Sequence, residues 1–326
     1  MSKLAELRRS SANPLYRLGL RPLPVNTEDH LGGGELVEIP GGRVYVKTIG
    51  TGPPVIALPG FAGTSRTWRL LARELRDEFT FHMFDFLGYG LSDKPEDADF
   101  SPIGQARQIE HLMKALGLRR CILLSNSASA QPALHAAFRQ PRRFEANIMV
   151  APFVAPGFWL CQLLRLAEVL PSKFFFSGLF GLRIVVYIAN ALGRRHLRAV
   201  TEEVVDEQYL PFGTEGYWAA LAQSAKYLRP RALVGIMRMI PIPTLVIWGD
   251  HDHAGGTRRA RRVFDDISDC RFEVVSDCGH VVQEEGAAEA GSLLKGFMEE
   301  LANRPPPQRP ARKRPVRPPK RAAAKR

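Results

Sequence analysis

The chain has 326 residues, with 45 Lys+Arg and 33 Asp+Glu, a formal net charge of +12. Ten of the basic residues and no acid lie between Arg304 and Arg326, so the other 303 residues carry 35 basic against 33 acidic groups. A near-neutral body excludes a domain built as a polycation for nucleic acid, and a hydrophobic content of 45% excludes a disordered chain.

Residues 1–34 are basic, then polar, then glycine-rich, and read as an N-terminal extension. Glu35–Ile39 and Arg43–Thr48 flank Pro40-Gly41-Gly42 and alternate apolar with polar, the pattern of a hairpin. Continuous apolar runs follow at Pro54–Leu58, Phe79–Phe86, Cys121–Leu124 and Ala146–Ala151. Helical patterns separate them over Ser65–Arg76, Pro102–Leu116 and Ala128–Phe138. Strands buried on both faces and alternating with helices predict an α/β fold, a mostly parallel sheet flanked by helices. The alternation stops between Pro152 and Ile242, which reads as an inserted helical cap. It resumes with a strand at Thr244–Trp248, a helix at Thr257–Phe264, a strand at Arg271–Val275 and a helix at Glu284–Leu301. The expected organisation is an extension at 1–34, a core at 35–151 and 243–303, a cap at 152–242 and a disordered Pro-rich basic tail at 304–326.

Two segments bear on membranes. Phe174–Gly193 is long enough to span a bilayer, with one charge, Arg183, near its middle. A central Arg costs about 2.5–3.5 kcal/mol on insertion, and a single crossing would separate neighbouring strands of one sheet. A lid over an apolar pocket is the favoured reading, with Trp159, Phe176, Phe180 and Tyr187 lining an acyl site or the core beneath it. Peripheral membrane contact through the cap or the tail stays open. No secretory h-region is seen at the N-terminus, and the four cysteines fit neither a zinc site nor a disulfide framework. A cytoplasmic setting, with no cofactor or metal, is expected.

In open parallel sheets chemistry gathers at the carboxyl ends of the strands. Ser127 lies there on a strand-to-helix turn between the small residues Ser125 and Ser129. Such a turn presents the hydroxyl over the sheet and leaves the Ala128 N–H at a helix start, able to receive an oxyanion. A serine needs a base, for which His280 after the last strand is the candidate, and the imidazole needs an orienting acid. Asp252 is the candidate acid, with Asp250 as the alternative.

Five segments carry a resemblance. They are Pro59-Gly60-Phe61, Asp85-Phe86-Leu87-Gly88-Tyr89-Gly90-Leu91-Ser92, the Ser127 turn, Gly249-Asp250-His251-Asp252 and Gly279-His280. In this order the sequence resembles the α/β-hydrolase superfamily over residues 35–301. The resemblance implies Ser127 as nucleophile, Asp252 and His280 as its partners, and the Phe61 N–H as the second oxyanion donor beside Ala128. Pro59 stands where the superfamily commonly has histidine, and Ser125 and Ser129 stand where glycine is common. Dehalogenases and epoxide hydrolases of this fold place an aspartate at the turn, whereas serine implies acyl chemistry. The expected activity is therefore a serine hydrolase acting on a small apolar acyl ester or thioester. The alternatives are C–C bond hydrolysis or cyclase/lyase chemistry on the same fold, or a non-catalytic ligand-binding homologue.

Overall fold

The computed structural model describes residues 11, 14–18, 20, 22–153, 182–228, 235–240, 242–253, 256–265, 267 and 269–304. Its centre is an eight-stranded sheet in the order β1-β2-β4-β3-β5-β6-β7-β8. The hairpin β1 (Glu35–Ile39) and β2 (Gly42–Ile49) is antiparallel, and β2 runs antiparallel to β4 (Thr80–Phe84). From β4 onward the neighbours β3 (Pro54–Leu58), β5 (Cys121–Asn126), β6 (Phe144–Val150), β7 (Thr244–Gly249) and β8 (Cys270–Val275) are all parallel. Every residue of β5 and β7 is buried, which is why the greater part of each strand appears in the sequence as an apolar run.

Strand alternation divides the core between two faces. Val55 and Ala57 of β3 join Trp68, Leu71, Leu294 and Phe297 on one side. Ile56 and Leu58 join Ile109, Leu112, Leu134 and Phe264 on the other. Apart from Trp68, which lies just before α1, the helices supplying these side chains are α1 (Arg69–Glu74), α2 (Pro102–Ala115), α3 (Ala130–Arg139), α7 (Thr257–Phe264) and α9 (Ala287–Asn303). A fully buried Phe such as Phe297 contributes roughly 1.5–3 kcal/mol. The expected helix at Ser65–Arg76 is shorter, a 3₁₀ turn at Ser65–Trp68 followed by α1. The expected last helix is broken into α8 (Val282–Glu285) and α9. The break falls at Gly286, where a Cβ would lie 2.7 Å from Cys278 Sγ and 2.8 Å from Val275 Cγ1.

Between β6 and β7 the described residues are helical: α4 (Arg183–Gly193), α5 (Glu202–Tyr209) and α6 (Tyr217–Ala225). They share a small core of Val186, Val205, Tyr209, Phe212, Tyr217 and Leu221. Arg183 opens α4 and its guanidinium meets Asp206 at 2.8 Å and Glu202 at 2.6 Å. Among the described residues no helix is long and apolar enough to cross a membrane. Residues 22–34 tie the helical segment between β6 and β7 to the hairpin. Val25 N–H donates to the Gly213 carbonyl at 3.1 Å, Lys47 Nζ to the Gly32 carbonyl at 2.7 Å, and Arg43 pairs with Glu28 at 3.0 Å.

The chain leaves β3 for β4 on one side and returns to β5 on the other. The loops after β3 and β5 therefore diverge and open a crevice at the carboxyl ends of these two strands.

Candidate active site

Ser127 sits at this crevice as the first residue after β5, with φ +55°. A non-glycine residue there costs roughly 1–2 kcal/mol, so its neighbours must hold it. They do so with hydrogen bonds from groups at both ends of the turn. Ser129 Oγ accepts the Asn126 N–H at 3.0 Å and lies 2.8 Å from the Asn126 carbonyl and 3.1 Å from the Leu58 carbonyl, either of which can take its proton. Asn126 Nδ2 donates to the Val150 carbonyl at 3.1 Å, tying the turn to β6. Serine thus replaces glycine at Ser129 because its hydroxyl is used. The space glycine would have given is provided instead by Gly60, where a Cβ would stand 3.3 Å from Ser127 Cβ and 3.1 Å from Asn126 Oδ1.

That close approach brings Phe61 beside the turn. Among the described residues neither the Phe61 N–H nor the Ala128 N–H donates to another protein group, and both residues are half-buried. The Phe61 ring meets Tyr89 edge-on, with centroids 6.3 Å apart. A small recess beside Ala128 is walled by Gly60, Phe61, Tyr89, Gln105 and Ser224. Burial pushes the Tyr89 phenol up to about 12, so it remains a neutral donor at ordinary pH.

Tyr89 belongs to the turn between Asp85 and Ser92. The buried Asp85 carboxylate accepts the Ser65 N–H at 2.6 Å and the Leu91 N–H at 2.9 Å. Gly90, at φ +48°, leaves room for it, because a Cβ there would lie 1.8 Å from Asp85 Oδ2. Ser92 Oγ donates to the Asp85 carbonyl at 2.6 Å and accepts the Tyr45 N–H at 2.8 Å. The D-x-x-G-x-G-x-S pattern is therefore a self-bonded turn that fixes one wall of the crevice.

His280 follows β8, and its Nδ1 lies 2.9 Å from Asp252 Oδ2. The Asp252 carboxylate is fully buried, whereas the imidazole keeps 20% exposure. The β7 and β8 ends meet because Gly249 has no Cβ, which would stand 2.2 Å from the Gly279 carbonyl oxygen. The alternative acid, Asp250, is occupied elsewhere, with Oδ1 accepting the Cys278 N–H at 3.2 Å and facing His251 Nδ1 at 2.7 Å. It zips the two loops together, and Asp252 is the acid at the imidazole. Among the described residues no hydrogen bond joins Ser127 Oγ to His280, a contact that commonly tightens only with substrate.

Tyr187 was expected near the acyl site. It is 38% exposed, because α4 buries Val186 and Asn190 and turns the neighbouring position outward. Trp159, Phe176 and Phe180 lie outside the described residues. In the sequence Ser129 stands out only as a small residue, and Glu284 and Glu285 of α8 carry no motif of their own. Arg194 Nη2 meets Glu284 at 2.7 Å in a buried pair, and Thr67 Oγ1 donates to the same carboxylate at 2.8 Å. The acidic pair shortly after Gly279-His280 was the available signal.

A protein-family model described as alpha/beta hydrolase fold matches residues 53–287. The chain belongs to this family. It is similar to Lipase 3 of Moraxella sp. (strain TA144), at 23% identity over 263 residues, covering 77% of this chain and 79% of that one. It is equally similar to a cis-3-alkyl-4-alkyloxetan-2-one decarboxylase of Shewanella oneidensis, at 23% identity over 288 residues, covering 80% and 86%. Among solved structures it resembles a meta-cleavage product hydrolase from Pseudomonas fluorescens IP01. The TM-score is 0.69 at 20% identity, covering 83% of this chain and 99% of that one. Relatives of different chemistry at equal distance establish the fold and leave the reaction to the site.

Proposed function

We propose that the protein is a serine hydrolase that cleaves an apolar carboxylic ester or thioester through an acyl-enzyme. The observation that carries this reading is the left-handed Ser127 on the β5 turn, beside two amides that donate to no other protein group among the described residues, in a fold where the loops after β7 and β8 bring Asp252 and His280 together. His280 Nε2 takes the Ser127 proton as Oγ bonds to the acyl carbon. The Phe61 and Ala128 amides receive the oxyanion, where fixed donors favour the transition state. The imidazolium, stabilised by the Asp252 carboxylate, then gives its proton to the departing alcohol or thiol. A water repeats the sequence and releases the acid, restoring Ser127 Oγ–H. Lipase 3 among the relatives supports the ester reading.

A second reading keeps the same residues and changes the bond. The likeness to a meta-cleavage product hydrolase supports C–C hydrolysis of a ketone, in which a carbon leaving group takes the proton. Labelling with a fluorophosphonate probe tests the shared nucleophile. The wild type should label and Ser127→Ala should not, and equal labelling of both would refute the assignment. A panel of acyl esters and vinylogous ketones then separates the two reactions. Turnover of the better substrate should fall about 10⁴-fold or more in Ser127→Ala.

A further inference from the structure

The geometry points to Glu285 as a positioning residue that sets His280 by clamping its loop to the cap. This rests on His280 being the base of the proposed reaction. Glu285 ends α8, five residues after His280, and its half-buried carboxylate receives backbone N–H groups from two separate segments. Oε2 accepts from Gly279, the residue before His280, at 2.8 Å. Oε1 accepts from Arg195 at 2.9 Å and from His196 at 3.0 Å, both just beyond α4 of the cap. An ionised carboxylate can satisfy three N–H donors at once with short, charge-assisted bonds, which no neutral side chain of this size can do.

The surrounding contacts repeat the same junction. His280 N–H itself donates to the Gly193 carbonyl at 2.8 Å. Gly279 is pressed so closely to the cap that a Cβ would lie 2.7 Å from the Gly193 oxygen and 2.9 Å from the Arg195 nitrogen. On the solvent side Asp277 faces Arg195 Nε at 3.2 Å and His196 Nε2 at 2.8 Å. Asp252 fixes the imidazole ring about its own bond, but it does not fix the main chain that carries the ring. That task falls to Gly193 and to Glu285. A base must lie within hydrogen-bond reach of the hydroxyl it deprotonates, so a shift of about 1 Å in this loop weakens proton transfer without touching the substrate. A cap that moves would carry the base with it.

The test combines Glu285→Ala and Glu285→Gln with two measurements. Backbone amide exchange should quicken at Gly279, Arg195 and His196 in Glu285→Ala. Unchanged exchange would show that the clamp does not hold these segments. Turnover is then expressed per active site titrated by fluorophosphonate, which removes any loss from misfolding. Glu285→Ala should lower kcat per titrated site about 10–100-fold, with KM changed less than about threefold. Glu285→Gln keeps one accepting oxygen and should fall between the two. A merely structural role would lower the titrated fraction and leave kcat per site within about twofold of wild type, which would overturn the positioning role. If the wild type fails to label at Ser127, the proposed function is what has failed, and the exchange result still reports on the clamp.

Discussion

At the scale of single residues, the site is assembled by what is missing as much as by what is present. Gly249 has no catalytic group, yet its hydrogen occupies the gap through which the β7 and β8 loops touch. A methyl there would sit 2.2 Å from the Gly279 carbonyl oxygen and 2.4 Å from that of Cys278. Both obstacles are main-chain atoms, so the loops must move apart. Their separation would lengthen the 2.9 Å contact between His280 and Asp252. Gly249→Ala should therefore lose more than about 3 kcal/mol of stability, the range of severe steric changes, as read by denaturant unfolding. It should also lower kcat in whatever fraction stays folded. The sequence makes Gly249 visible as the end of an apolar run but not as a contact, because the partner lies 30 residues away. Ser127, Asp252 and His280 were legible as residue types at strand ends. Asp252 is the sequence's candidate acid with Asp250 as the alternative, since both follow the same strand, and the direction of each carboxylate separates them.

At the scale of elements, strands and core helices were legible because burial imposes a period on them. The hairpin, the six following strands and the helix Thr257–Phe264 fall where apolar runs and amphipathic spacing put them. Breaks and anchors were less legible. The split between α8 and α9 depends on the packing of Gly286 against Cys278 and Val275, and nothing local in the sequence announces it. The attachment of the helices between β6 and β7 has the same character. Arg194, 2% exposed at the side chain, pairs with Glu284, which is 7% exposed. This pair joins the end of α4 to α8 across a gap of 90 residues. Breaking a buried pair from one side strands the other charge and costs about 3–5 kcal/mol. Glu284 keeps the Thr67 hydroxyl and Arg69 at 3.6 Å. Arg194→Ala should thus fall at the lower end, about 3 kcal/mol, with limited proteolysis cutting first between β6 and β7 and leaving the sheet intact.

At the scale of the whole molecule, the surplus charge and the candidate site occupy different regions of the chain. Ten of the 45 basic residues lie in the last 23 positions. Arg304, the first of these, is fastened to the body by Asp269 at 2.6 Å and Glu300 at 3.1 Å. The nine that follow carry no acid among them, and clustered Lys and Arg gain about 1 kcal/mol each beside an anionic bilayer. Such attraction weakens as the screening length falls from about 10 Å at 0.1 M salt to about 3 Å at 1 M. The full chain should therefore sediment with vesicles containing anionic lipid at low salt and be released at high salt. Truncation after Arg304 should abolish sedimentation while leaving the unfolding midpoint and the turnover of a soluble ester unchanged, because the Asp269 and Glu300 contacts are retained. The exposed side chains Ile184, Ile188 and Leu192 on α4 define what the opposite result would mean. If the truncated protein still binds, and binding then resists salt, the contact is apolar and runs through α4. The tail would in that case be a bystander to membrane contact, and replacing Ile188 with Asp should release the protein where truncation did not.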